Sequence, residues 1–258
     1  MEEEIHYSST GNITLYGLFS QVNDTNEIVI LCHGLKANRT ERGSFDHLVE
    51  ALRVNNINSF RFDFRGHGES SGKDFEMTVS GEKEDLESTI KMLSKKGFGK
   101  IVVLGASFGA SIMSFVDYEK YNNVLGLISW YGALDYFGTI EEDSFFSEEH
   151  KIIAERDGYF EIKSKRTGKS FRLGKDLYKE IYSLTPYKEL VKIDLPVLFV
   201  HGLEDQMVPY DLSAKISKEC KNSQLVLIEN GDHTFDNDSK ALSDAIDASI
   251  NFIKTLFK

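Results

Sequence analysis

Ser107 lies in Gly105-Ala106-Ser107-Phe108-Gly109, directly behind the apolar run Ile101-Val102-Val103-Leu104. A serine that attacks from the edge of a buried sheet needs a very sharp strand-to-helix turn, and glycines two residues before and after it let strand and helix pack that close. Serine is a weak nucleophile at its free pKa and needs an adjacent base, itself oriented by a carboxylate. Asp205, in His201-Gly202-Leu203-Glu204-Asp205, follows the apolar run Val197 to Val200. His233, in Gly231-Asp232-His233, follows Leu225 to Ile228 and alone of the histidines precedes a terminal helix pattern. All three are thus expected at one sheet edge, as nucleophile, orienting acid and base.

Glu204, Asp211 and Asp232 are rivals for the acid role, as is Asp135, which lies one strand earlier. A tetrahedral intermediate also requires donors aimed at its oxyanion, commonly two backbone N–H groups. Phe108 supplies one by its place after Ser107. Leu35, in His33-Gly34-Leu35 behind the run Ile28 to Cys32, is expected to supply the second. His33 itself reads as a brace for that loop rather than a proton carrier.

A further marker, Asp63-Phe64-Arg65-Gly66-His67-Gly68-Glu69-Ser70, contains Gly-x-Gly but has Ser71 where a dinucleotide fingerprint needs its third glycine. It reads as a structural loop in which Asp63 and Arg65 pair locally. The sequence contains no H-E-x-x-H, no Cys/His cluster and no phosphate-binding P-loop, so no metal and no cofactor is expected.

The elements that must position these residues follow from periodicity. Glu4 to Ser8 and Ile13 to Ser20 read as an opening hairpin turned at Thr10-Gly11-Asn12. Six continuous apolar runs follow, as strands buried on both faces do: Ile28 to Cys32, Ser59 to Phe64, Ile101 to Leu104, Val124 to Trp130, Val197 to Val200 and Leu225 to Ile228. Between them fall helical patterns over Phe45 to Val54, Gly81 to Lys95, Phe108 to Tyr118, Tyr210 to Glu219 and Ser239 to Phe257. This alternation predicts an α/β protein with a mostly parallel, doubly covered sheet. About fifty residues, 134–185, interrupt the rhythm, far more than an ordinary connection. They read as an inserted lid of helix (Ser147 to Arg156), hairpin (Tyr159 to Ile162 with Ser170 to Leu173, turning at Arg166 to Lys169) and helix (Lys175 to Tyr182), on a core of 1–133 and 186–258.

Composition bounds the rest. The 258 residues suit one domain with an insertion, and no stretch is apolar for the twenty or so residues of a membrane span. Met1-Glu2-Glu3-Glu4 lacks the features of a secretory signal, and two cysteines, Cys32 and Cys220, cannot build a disulfide framework, so a cytoplasmic protein is expected. A formal charge of −11 disfavours nucleic acid and anionic lipid as partners. A small-molecule substrate is expected, and a homodimer stays open.

Taken together, His33-Gly34, the Asp63 to Ser70 loop, Gly105-x-Ser107-x-Gly109, His201-Gly202-x-x-Asp205 with Val208-Pro209, and Gly231-x-His233 resemble the α/β-hydrolase superfamily. Within it they look most like the serine-aminopeptidase-like and lysophospholipase-like branch that includes bacterial feruloyl (cinnamoyl) esterases. The resemblance implies an eight-stranded sheet with an antiparallel second strand, helices on both faces, no cofactor, and a small lid after the sixth strand. Ala106 and Ala110 depart from the histidine and glycine that many members carry there. The implied activity is a serine esterase that cleaves carboxylic esters, with aromatic or short acyl groups. An acyl thioesterase, a monoacylglycerol lipase or lysophospholipase, and a non-catalytic binding protein are the alternatives. The insertion is rich in aromatics, and Tyr136, Phe137, Tyr159, Phe160 and Tyr182 are candidate pocket residues.

Overall fold

The structure, a computed structural model, describes residues 2–136, 147–163 and 170–258. In chain order the core strands are β1 (Glu3–Ser8), β2 (Thr14–Ser20), β3 (Glu27–Cys32), β4 (Asn58–Phe62), β5 (Lys100–Ala106) and β6 (Val124–Trp130). Two short strands follow, β7 (Tyr159–Lys163) and β8 (Ser170–Gly174), and then β9 (Val197–Gly202) and β10 (Ser223–Ile228). The helices are α1 (Ser44–Val54), α2 (Val79–Lys95), α3 (Phe108–Ser114), α4 (Glu148–Asp157), α5 (Lys175–Ile181), α6 (Pro186–Leu190), α7 (Tyr210–Glu219) and α8 (Ser239–Leu256).

Eight strands form one sheet in the order β1-β2-β4-β3-β5-β6-β9-β10. Strand β2 runs antiparallel to both β1 and β4, and every later pairing is parallel. The continuous apolar runs are explained by two cores, one on each face. Along β3, Ile28 and Ile30 enter the core that Leu86 and Ile90 of α2 and Ile112 of α3 complete. Val29 and Leu31 enter the other, beside Phe45 and Leu48 of α1 and Ile246 and Ile250 of α8. From Ile28 to Cys32 each residue of β3 is buried whichever way it points, which is why no alternation is visible there in the sequence.

The segment between β6 and β9 stands apart from this sheet. Strands β7 and β8 pair only with each other, antiparallel, from Tyr159↔Gly174 to Lys163↔Ser170. The turn read at Arg166 to Lys169 lies outside the described residues.

Several element ends differ from the sequence reading by a residue or two, and three differences have a local explanation. The strand expected to reach Phe64 ends at Phe62: the Asp63 N–H still bonds the Tyr16 carbonyl of β2, but the Phe64 N–H turns to the His33 side chain. The helix expected over Phe108 to Tyr118 stops at Ser114, where the Ser114 hydroxyl donates back to the Ala110 carbonyl and the Tyr118 hydroxyl donates to the Met113 carbonyl. Helix α6, which periodicity did not reveal in so short a stretch, starts with Pro186 at its first turn, where a missing N–H costs nothing.

Candidate active site

Ser107 occupies the turn between β5 and α3 with φ 51° and ψ −115°, a strained conformation for a residue with a Cβ. The surroundings enforce it. The Ser107 N–H donates to the Trp130 carbonyl at 2.9 Å, and its own carbonyl accepts from Ala110 and Ala133 at 3.1 Å each. The flanking glycines are steric necessities: a Cβ at Gly105 would lie 2.6 Å from the Ala110 nitrogen, and one at Gly109 2.6 Å from the His33 carbonyl oxygen. Strand, helix and the loop after β3 therefore meet at backbone distance around the serine.

Side chains from three strand ends converge there. Ser107 Oγ lies 3.0 Å from His233 Nε2, and His233 Nδ1 lies 2.8 Å from Asp205 Oδ2. The other Asp205 oxygen accepts the N–H groups of Met207 and Val208 at 2.9 and 2.8 Å, so the turn after β9 fixes the carboxylate. His201 adds a second imidazole to Asp205 Oδ2 at 3.0 Å, while its Nδ1 meets Ser213 Oγ of α7 at 2.8 Å. Burial alone would raise the Asp205 carboxyl; the hydrogen bonds from His201 and His233 reverse that and hold it well below the usual carboxylate range. An anion is thus maintained behind the imidazole, where it fixes the tautomer and would stabilise an imidazolium. Among the rivals, Asp232 instead accepts the Thr234 N–H within its own turn.

The loop after β3 forms the facing wall. A Cβ at Gly34 would stand 3.1 Å from Ser107 Cβ, so Leu35, one residue on, begins beside the serine. His33 braces this loop: its Nδ1 meets the Gly34 carbonyl at 2.8 Å, and its Nε2 accepts the Phe64 N–H at 3.1 Å. Burial lowers its pKa to about 4, which keeps it neutral and able to accept.

Three contributors were missed by sequence reasoning. Glu41, buried although in a polar loop, accepts the Gly34 N–H on Oε2 at 2.6 Å. Burial pushes its carboxyl up to about 7, against the lowering influence of that hydrogen bond and of Arg42. Tyr131, just past β6 with φ 37°, is fully buried and packs its ring 4.9 Å from that of His233. His201 is the third; its signal was present, since it ends an apolar run four residues before Asp205.

One local pairing is corrected. Asp63 does not pair with Arg65. It accepts from Arg39 Nη1 at 2.6 Å, the Arg39 N–H at 2.7 Å and the Glu69 N–H at 2.9 Å. Arg65 reaches the other way, forking onto Asp85 of α2 at 3.0 and 2.8 Å. The sharp turn separates two residues that are close in sequence, and each finds a partner on a different element. Gly68 permits this, because a Cβ there would lie 2.1 Å from Asp63 Oδ2.

The candidate pocket aromatics fall in two places. Tyr136 is buried with its ring 5.9 Å from that of Phe108, beside the nucleophile turn. Tyr159 packs on Phe75 at 5.5 Å, Phe160 stacks on His150 at 3.8 Å, and Lys151 lies over the Tyr182 ring at 4.5 Å, all contacts that join the β6–β9 segment to itself or to residue 75. Phe137 lies outside the described residues. Among the described residues no group of three His, Cys, Asp or Glu side chains is arranged to hold a metal ion, and no helix is long and apolar enough to cross a membrane.

The sheet order and the strained serine turn give the chain the α/β-hydrolase fold, and two serine-hydrolase family models each match part of it. Residues 23–135 match the family model described as serine aminopeptidase, S33, and residues 160–245 match that of serine hydrolase (FSH1). The mitochondrial palmitoyl-protein thioesterase ABHD10 of Bos taurus is 26% identical over 67% of this chain, and the match spans 56% of that protein's length. The uncharacterized protein YfhR of Salmonella typhi is 26% identical over 98% of the chain and 82% of its own. Est1E of Butyrivibrio proteoclasticus, solved with ferulic acid bound, superposes with a TM-score of 0.82 at 22% identity, covering 98% of this chain and 99% of that one.

Proposed function

We propose that this chain is a carboxylic ester hydrolase working through an acyl-enzyme on Ser107. The observation that carries the reading is the unbroken relay from Ser107 Oγ through His233 to Asp205, at 3.0 and 2.8 Å. His233 Nε2 takes the Ser107 proton as Oγ bonds to the ester carbonyl carbon, whose π electrons move onto oxygen. The N–H groups of Leu35 and Phe108 hold that oxyanion. As it collapses, the bond to the leaving oxygen breaks and His233 gives that oxygen its proton. Water then repeats the sequence: it loses a proton to His233, attacks the acyl carbon, and releases the acid and Ser107. Asp205 stays ionised throughout.

The segment 134–185 serves as a lid on the core of 1–133 and 186–258, and Tyr136 packs its ring 5.9 Å from that of Phe108, the residue after Ser107. Aromatic acyl groups fit such a wall. A thioester is the second reading, favoured by the match to a palmitoyl-protein thioesterase; the same relay attacks either carbonyl.

A fluorophosphonate probe tests the nucleophile. Wild type should label once and Ser107→Ala should not. Absence of labelling in wild type, or equal labelling of both, would overturn the assignment. A panel of acetyl, octanoyl and cinnamoyl esters with the matching thioesters then ranks the acyl group and the leaving atom.

A further inference from the structure

An open cavity of about 830 Å³ lies between the loop after β3 and the β7–β8 hairpin. Among the described residues its walls carry Lys36, Arg42, Lys73 and Arg172, against one carboxylate, Asp74. That is an inversion of the whole chain, in which 41 acidic residues outnumber 30 basic ones. Asp74 is already engaged by Arg172, while Lys73 has an exposed contact with Glu76 at 3.5 Å and lies over the Phe75 ring at 5.4 Å. Arg42 is exposed and forms no ion pair among the described residues. His67, also in the wall, is held neutral, its pKa lowered to about 3 by burial and by His33, so it adds no charge. The cavity begins one residue past Leu35, on the loop whose Gly34 touches Ser107.

Like charges gathered at one surface repel one another and hold a field that attracts an anion. Burial, with a smaller contribution from the neighbouring Arg42, lowers the Lys36 ammonium to about 8. An uncharged ester gains nothing from this arrangement.

We propose that this groove binds an anionic group of the substrate, a phosphate or carboxylate, while the acyl carbon sits at Ser107. The inference rests on the ester-hydrolase reading and names the substrate class for it. Lys36 and Arg42 contact the anion from one wall, and Lys73 and Arg172 from the other. Two sources share this chemistry: the phosphates of a coenzyme A leaving group, and a carboxylate at the far end of an acyl chain.

The test measures kcat/KM for four substrates: p-nitrophenyl butyrate, S-butyryl-N-acetylcysteamine, butyryl-coenzyme A, and the p-nitrophenyl monoester of glutarate. Each thioester or charged ester is compared with a neutral partner of the same reactive bond, S-butyryl-N-acetylcysteamine for the thioester. One anionic substrate should exceed its neutral partner by about tenfold at low salt, and the ratio should fall severalfold at 0.5 M NaCl, where screening shortens the field to a few ångströms. Arg42→Glu and Lys73→Glu should each lower that ratio at least threefold, whereas Lys218→Glu on α7, the same charge change elsewhere, should not. Which partner is preferred identifies the source. Equal ratios for both anionic substrates and their neutral partners, with wild type active on the neutral esters, would overturn the groove and leave the hydrolase standing. Calorimetric titration of Ser107→Ala with free coenzyme A and with glutarate gives a readout independent of turnover. Saturable binding weakened by Arg42→Glu supports the groove even if no ester is cleaved, and no saturable binding of either probe refutes it.

Discussion

Glu41 and Gly34 are joined by a 2.6 Å hydrogen bond in which a buried carboxyl holds the backbone beside Ser107. The acceptor approaches from the loop residues 36–42, three of which, Lys36, Glu41 and Arg42, adopt positive φ without being glycine. The oxyanion-side loop is thus shaped by a side chain seven residues downstream.

Glu41 should make the protein less stable as pH rises. Its folded pKa of about 7 exceeds the ordinary value of ~4.3, so between those values the folded state binds more proton than the unfolded one. Stability therefore falls with rising pH across that window and levels off above it. Glu41→Gln keeps an oxygen for Gly34 and removes the titration. Chemical denaturation should show the variant gaining on wild type by about 2–3 kcal/mol between pH 5 and pH 8. A constant difference across that range would contradict the assignment.

Tyr131 carries a hydroxyl that is buried and finds no hydrogen-bond partner among the described residues. Tyr131→Phe removes an unsatisfied group while preserving the ring against His233, so thermal unfolding should show a neutral to favourable change of up to ~1 kcal/mol. Tyr131→Ala should instead cost about 3–5 kcal/mol as a cavity opens. Loss of several kcal/mol in the phenylalanine variant would reveal a partner for the hydroxyl.

The pair Arg39–Asp63 predicts an asymmetric result. Asp63 is fully buried, and Arg39→Ala would leave its carboxylate without its cation, at a cost of about 3–5 kcal/mol. Lys192→Ala, which breaks an exposed contact with Glu189, should cost under ~0.5 kcal/mol. Equal denaturation midpoints for the two variants would remove the distinction.

His201 tests how far Asp205 depends on its second imidazole. His201→Ala deletes the bonds to Asp205 and Ser213 and should lower kcat by about tenfold, with KM little changed. Asp205→Asn should cost about 10⁴-fold, because the wrong tautomer of His233 is then favoured. A larger loss at His201 than at Asp205 would reverse their assigned order.

Much of this geometry was legible because strand ends are. Ser107, Asp205 and His233 each follow an apolar run, and parallel strands deliver such positions to one edge, where the structure brings them within hydrogen-bonding distance. The antiparallel second strand and the sheet of eight also follow the resemblance. What escaped depends on contacts through space. Glu41 lies in a run of polar residues that reads as solvated, and only its folding back toward Gly34 buries it. Asp63 and Arg65 look like partners by proximity, yet Asp63 meets Arg39 of the loop after β3 and Arg65 meets Asp85 of α2. Tyr131 lies one residue past its strand, so its place against His233 is set by the φ of 37° and not by any periodicity.

Helix α3 has no exposed residue from Phe108 to Ser114. The helix that begins just after Ser107 therefore has no outer surface on which drift is harmless, and any change of volume along it is borne by both the sheet and its covering layer. Selection for a new substrate should accordingly leave this helix silent and gather its tolerated changes in 36–42 and in the residues between β6 and β9, so the reaction and its clientele can evolve at different rates in one chain.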